Sequence, residues 1–296
     1  MKTGQQAGRL TGRAVIVTGT SPNIGGGIAE ALAAAGASVC AVDKDPDNAG
    51  GCARYLRDQG AHAVAAMADV TDPGQVDAAV LAALGAFGRV DALVNGAVLF
   101  GSGGVLDIDV GQWRRQLDII LTGALLMTRR VAAAMIEQGT GGSIVNIAST
   151  AAHQGEPGNI GYATAKAGIL NFTRAAAMDL AARQIRVNSL TPTSTDPSEA
   201  AGRAARWGIR GRAAPSAEAL AGFSRSRAKL PLGVLPTPAD YGGAVTFLLS
   251  DDSRLVTGTD LRVDAGALAK YWRIDPPPPE APDKTGKADA GALAGR

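Results

Sequence analysis

Tyr162 and Lys166 stand four residues apart in Tyr162-Ala163-Thr164-Ala165-Lys166, a spacing that places both on one face of a helix. A phenol with a pKa of about 10 is a poor base at neutral pH. A neighbouring ammonium favours the phenolate and lowers that value. Such a pair is suited to taking a proton from an alcohol or giving one to a carbonyl. Taken alone, the spacing also fits an ordinary amphipathic helix with a surface tyrosine and lysine, so its meaning depends on the rest of the chain.

The second chemical feature is the turn Thr18-Gly19-Thr20-Ser21-Pro22-Asn23-Ile24-Gly25-Gly26-Gly27. The apolar run Ala14-Val15-Ile16-Val17 before it reads as a buried strand. Ile28 to Ala35 after it reads as a helix stopped by Gly36. A helix N-terminus that follows a strand and a glycine turn suits a pyrophosphate. Gly19 permits the tight turn and Gly25 a close approach of ligand to backbone. The next strand, Ala37 to Val42, ends at Asp43, where a carboxylate accepts from a ribose 2′-OH and repels a 2′-phosphate. This favours NAD over NADP. Lys44 keeps NADP in play, and Asp43 also fits the start of a solvated turn.

The elements that must carry these residues alternate along the chain. Helices are expected at Asn48–Gln59, from Asp72-Pro73 to Phe87, at Gln112–Gln138, Ala163–Arg183 and Ala239–Leu249. Strands are expected at Ala63–Met67, Val90–Asn95, Ser143–Ala148, Ile185–Leu190 and Asp260–Val263. Alternation of this kind predicts an α/β fold with a doubly wound parallel sheet. Asp72 followed by Pro73 reads as a helix cap. The rhythm breaks at about 191–230, a Pro- and Arg-containing insertion before the last helix. The Pro-rich stretch from about Ala267 reads as a flexible extension. The expected organisation is an N-terminal arm at 1–11, one domain at 12–266 and the extension at 267–296.

Composition narrows the function classes. The chain has 296 residues, 46% of them apolar, and a net charge of +2. That charge, spread along the chain, implies no nucleic-acid partner and no membrane surface. No stretch reads as a membrane span or a leader, which predicts a cytoplasmic protein. Cys40 and Cys52 read as buried small apolar residues rather than a disulfide or a metal pair, and no metal site is expected.

Ser149 with Tyr162-Ala163-Thr164-Ala165-Lys166 resembles the catalytic serine and the Tyr-x-x-x-Lys motif of the short-chain dehydrogenase/reductase family. Arg186 to Pro192, Leu230-Pro231-Leu232-Gly233 with Pro238-Ala239-Asp240, and Val256 to Gly266 resemble its later segments. With the glycine turn, the resemblance covers roughly Gly12 to Gly266. It implies a Rossmann-type single domain and an NAD(P)-dependent oxidoreductase moving hydride between nicotinamide and a secondary alcohol or ketone. Tyr162 would exchange the proton, Ser149 hold the substrate oxygen, and Lys166 meet the nicotinamide ribose. Thr18, Gly19, Asn23, Ile24 and Gly25 would form the phosphate turn. Asp69 and Val70 would meet the adenine, and Asn95, Gly96, Ala97 and Pro192 would line the cofactor. The family's packing of its two long helices against their copies implies a homodimer or homotetramer. Ala175-Ala176-Ala177 fits that close approach.

The sequence departs from the family pattern in four places. Asn23 replaces the middle glycine of the turn, and asparagine tolerates left-handed backbone angles. Asn95-Gly96-Ala97-Val98 replaces Asn-Asn-Ala-Gly, and Pro192-Thr193 replaces Pro-Gly. Ile120 replaces the fourth catalytic residue, an asparagine thought to hold a relay water for the lysine. These departures leave two alternatives: a cofactor-binding sensor or scaffold with impaired turnover, or a dehydratase or epimerase on the same fold. His153 reads as a solvated loop residue before one that faces a substrate, Trp113 as packing before recognition, and Arg203, Arg206, Arg210 and Arg212 as a solvated helix face before a contact for an anionic substrate or partner.

Overall fold

The computed structural model describes residues 8–209 and 216–270. Seven strands form one parallel sheet: β1 (Ala14–Thr18), β2 (Ser38–Asp43), β3 (Ala63–Met67), β4 (Ala92–Asn95), β5 (Gly142–Ile147), β6 (Ile185–Pro192) and β7 (Asp260–Val263). Their spatial order is β3-β2-β1-β4-β5-β6-β7. Side chains of successive strand residues point to opposite faces. Val15 and Val17 therefore join one core with Val39 and Ala41, while Ile16 joins the other with Cys40 and Val42. The first core is closed by α1 (Ile24–Ala34), α2 (Pro46–Asp58) and α9 (Pro238–Leu249), the second by α3 (Pro73–Phe87), α5 (Gly123–Gln138) and α6 (Ile160–Leu180). This is the doubly wound Rossmann-type architecture. Both cysteines lie unpaired in these cores, and burial pushes the Cys40 thiol up to about 12.

The strand order reverses direction at β1, between β2 and β4, where ligands of such sheets bind at the carboxyl ends. The two strand ends are pressed together there. Gly19 has φ +73°, and a Cβ on it would lie 2.6 Å from the carbonyl oxygen of Gly96. Asp72 caps α3 as expected, accepting from the amides of Gly74 at 2.8 Å and Gln75 at 3.1 Å.

The structure changes several expectations. The helix expected at Gln112–Gln138 starts earlier, as α4 (Val110–Leu117), because Asp109 caps it by accepting from Gln112 N at 2.7 Å. A π-helical turn at Asp118–Thr122 separates it from α5. Gly123 follows that turn and lets the helix lie against Val70, whose Cγ2 would be 2.5 Å from a Cβ there. Contrary to the expectation that no stretch resembles a span, Val110–Gln138 is long and apolar enough to cross a membrane. More than half of its most apolar window is buried inside the protein, which accounts for that apolarity. Leu10 is also fully packed, its amide donating to Ala35 O at 2.9 Å, so the packed body begins before Gly12.

The insertion carries α7 (Ser198–Arg206) and α8 (Ala217–Ala228). Arg203 is not part of a solvated face: only 3% of it is exposed, and it pairs with Glu30 at 3.0 Å and Glu199 at 2.9 Å. Arg206 also reaches Glu30, at 2.7 Å. Trp207 donates to the same carboxylate at 3.0 Å and packs where Gly26 has no side chain. These contacts hold α7 on α1, beside the glycine turn. Arg210, Arg212 and the extension beyond residue 270 lie outside the described residues.

Candidate active site

Ser149 stands just past β5, where its hydroxyl accepts from Ala151 N at 3.1 Å. It also faces the phenol of Tyr162, in the first turn of α6, closely enough to lower its pKa. One turn later Lys166 places Nζ 5.8 Å from the centre of the Tyr162 ring and donates to the Ile147 carbonyl at 2.6 Å. The sequence spacing thus becomes one convergent group. Its electrostatics differ from expectation. Burial raises the Tyr162 pKa above its ordinary value, and the charge of Glu156 raises it further. The Ser149 hydroxyl works the other way. Lys166 is 3% exposed, and burial alone brings it down to about 7. In the chain by itself, desolvation therefore outweighs the expected pull of an ammonium on the phenol.

A single cleft joins this group to the glycine turn. Gly19, Asn23, Ile24 and Gly25 line one end, Asp43 lies at the side, and Gly96, Pro192, Tyr162 and Lys166 lie at the other end. Asp43 is half-buried, accepting from Asp45 N at 2.9 Å and from Asn48 Nδ2 at 3.4 Å. Desolvation is the main cause of its raised pKa. Lys44 is turned away from the cleft to Asp69, at 2.7 Å. That bond, with Thr71 at 2.7 Å, holds the Asp69 carboxyl down at about 2.

Other expected site residues sit behind the cleft wall. The Thr18 hydroxyl accepts from Gly96 N at 3.0 Å. Val70, Ala97 and Asn95 border a small pocket beneath Lys166. Asn95 turns its amide to Thr128 and Asn146. His153 is not solvated: Nε2 lies 3.2 Å from Asp260 Oδ2 and 3.2 Å from Thr191 Oγ1. Trp113 is half-buried, as packing requires.

Sequence reasoning missed Phe100, whose ring stacks on Tyr162 with centroids 5.2 Å apart. It also missed Asn48 beside Asp43. The signal for Phe100 was its place in the loop after β4, at the carboxyl edge of the sheet. The cleft fits a dinucleotide on its own features: a helix N-terminus at the glycine turn, a carboxylate at the end of β2, and a buried acceptor, Asn23 Oδ1, with no partner in the protein.

A cleft of this kind, ending on a Ser-Tyr-Lys group at the carboxyl edge of a parallel sheet, defines a dinucleotide-dependent oxidoreductase. The family described as enoyl-(acyl carrier protein) reductase matches residues 19–267. A 2-(S)-hydroxypropyl-CoM dehydrogenase of Xanthobacter autotrophicus (strain ATCC BAA-1158 / Py2) is 36% identical, over 88% of this chain and 98% of the relative. A D-threitol dehydrogenase of Mycolicibacterium smegmatis is 34% identical, over 88% and 95%. A short-chain dehydrogenase/reductase structure from Burkholderia xenovorans superposes with TM-score 0.80 at 34% identity, covering 90% of this chain and all of the other. A gluconate 5-dehydrogenase structure from Beutenbergia cavernae, with bound NADP, superposes with TM-score 0.75 at 34% identity, over 88% and 98%. The chain belongs to the short-chain dehydrogenase/reductase family. It is an NAD(P)-dependent oxidoreductase acting on a secondary alcohol or its ketone.

Proposed function

We propose an NAD-preferring alcohol dehydrogenase, also able to run as a carbonyl reductase, in which Tyr162 exchanges the substrate proton. The observation that carries this reading is the convergence of Ser149 and Tyr162, with Lys166 behind the ring, at the end of the cleft that starts at the glycine turn. When bound, the nicotinamide supplies or accepts the hydride. Ser149 holds the substrate oxygen, and Tyr162 takes the alcohol proton or returns it to the carbonyl. Lys166 fixes the nicotinamide ribose. The pyrophosphate rests on Gly19, Asn23, Ile24 and Gly25 at the N-terminus of α1. Gly96, Ala97 and Pro192 flank the nicotinamide end, with Thr18 and Asn95 supporting it from behind. Asp69 and Val70 take the adenine side.

Asp43 selects NAD, because its half-buried carboxylate accepts from ribose hydroxyls and repels a 2′-phosphate. The pairing of Lys44 with Asp69 supports this, since it occupies the cation that would welcome a phosphate. The working assembly is a homodimer or homotetramer. Exposed Leu125 and Ile136 on α5 and Met178 on α6 support an apolar contact there. A monomer by light scattering at micromolar concentration would remove that assembly. Tyr162→Phe tests the chemistry: turnover should be lost while NAD still binds.

A further inference from the structure

Ser149 opens a tight turn that closes on His153. Ala151 N donates to the Ser149 hydroxyl at 3.1 Å, Ala152 N to Ser149 O at 2.9 Å, and His153 N to Thr150 O at 3.1 Å. These bonds make the turn one unit. One end is fixed to the sheet, where Ala148 N donates to Leu190 O of β6 at 2.8 Å. Beyond the other end, residues 154–158 are exposed. The chain is next held at Gly158, whose carbonyl accepts from Gly103 N at 2.8 Å. The side chain that fastens the far end of the turn itself is His153.

The imidazole is mostly buried, with 16% of its side chain exposed. Nε2 lies 3.2 Å from Asp260 Oδ2 and 3.2 Å from Thr191 Oγ1. The Thr191 hydroxyl has one hydrogen. It spends that hydrogen on the Asp260 carboxylate, 2.9 Å from Oδ1 and 3.0 Å from Oδ2. Both neighbours of Nε2 are therefore acceptors, so Nε2 carries a hydrogen and donates it. Asp260 is held in turn. Ser189 Oγ donates to its Oδ1 at 2.7 Å, and the pairing of β6 with β7 sets Asp260 opposite Ser189. A bond to a carboxylate is stronger than one between neutral groups, and this carboxylate is fixed in the sheet.

We propose that His153 is a positioning residue for Ser149: its bond to Asp260 ties the far end of the serine's turn to β7 and so fixes the direction of the Ser149 hydroxyl. Ala151 N already occupies one lone pair of that oxygen. Its hydrogen and second lone pair are left for the substrate oxygen, and the turn sets where they point. Freed at one end, the turn can swing. A small misplacement of a group that orients the substrate is costly in rate. The same carboxylate braces Thr191, the residue before Pro192 in the cleft wall. The proposal rests on the reading that Ser149 holds the substrate oxygen.

The test compares His153→Phe, which keeps a flat ring without the donor, with His153→Gln, whose amide nitrogen has about the reach of Nε2. Both are made in the full chain and assayed at saturating NAD with a secondary alcohol that the wild type oxidises. His153→Phe should lower kcat roughly tenfold and leave the NAD dissociation constant unchanged. His153→Gln should recover most of the loss. In a Ser149→Ala background, itself impaired, His153→Phe should add no further loss, because the group it positions is gone. If His153→Phe does not fold, His153→Leu asks for less room and is read in the same way. An unchanged kcat in the Phe variant, a Gln variant as impaired as the Phe variant, or an equal further loss in the Ser149→Ala background overturns the proposal. If the wild type turns over no alcohol, or Ser149→Ala turns over as fast as wild type, the reading of Ser149 has failed, and the positioning role falls with it.

Discussion

Phe100 lies on Tyr162: its ring stacks on that of the tyrosine with 5.2 Å between centroids and 29° between planes, while 70% of Phe100 remains exposed. If the phenol exchanges the proton as proposed, an exposed aromatic ring beside it is an apolar wall for whatever the carbinol carbon carries. Val98 lines the same cleft, which extends the wall. Phe100→Ala should lower kcat/KM for alcohols with an apolar or aromatic substituent roughly five- to tenfold, the worth of an aromatic contact of about 1 kcal/mol. Small polar alcohols and NAD affinity should be little affected. Steady-state kinetics on paired substrates would check it; an equal loss on both classes would place Phe100 in general packing instead.

Asp43 should set cofactor choice. Asp43→Ala should weaken NAD by roughly tenfold, the cost of losing hydrogen bonds to a charged acceptor worth about 1.5–3 kcal/mol less what water returns. NADP should bind more tightly, because the repulsion is gone. Titrating both cofactors into wild type and variant gives the two ratios. Equal NAD and NADP affinities in the wild type would end the assignment.

Lys166 should leave a mark on stability. Its pKa falls from 10.5 to about 7 on folding, through burial. Between these values the unfolded chain binds more protons than the folded one, so this group makes stability rise with pH from about 7 toward 10. Below pH 7 the ammonium is charged in both states and the burial penalty is complete. Tyr162 adds the opposite slope above pH 10, because its raised pKa keeps the folded phenol protonated there. Lys166→Met keeps the apolar stem. Its melting temperature should exceed that of wild type at pH 7, and the gap should narrow by pH 9–10. A constant gap would show that burial is not the cause.

Ile120→Asn should be neutral or harmful to turnover. Ile120 is 3% exposed and belongs to the apolar cluster with Ala124, Ala165 and Ile169. An amide placed there lacks a built partner. A clear gain in kcat with the fold unchanged would contradict the account of this site.

The parts of this protein that could be read from sequence are those whose cause is local. Val15, Ile16 and Val17 announce a strand buried on both faces, Asp72-Pro73 announces a cap, and Tyr162 and Lys166 share a face by spacing alone. What could not be read depends on partners far along the chain. Arg203 resembles any solvated helix arginine until Glu30, which it meets across the fold, is placed beside it. His153 looks like a loop residue until β7 brings Asp260 to it. The π turn at Asp118–Thr122 and the close approach of Gly123 to Val70 just after it have no signal in helix propensity.

The central claim is that Tyr162 exchanges the substrate proton in hydride transfer with NAD. Its most direct test follows reduced nicotinamide by absorbance, with wild type and Tyr162→Phe, NAD, and a panel of sugars, sterols, acyl thioesters and cyclic alcohols. Reduction should appear with at least one secondary alcohol, and the variant should lose roughly 10²–10⁴-fold of that rate while binding NAD as tightly as wild type. Turnover that survives in Tyr162→Phe, or NAD binding without turnover of any alcohol or ketone by the wild type, would contradict it.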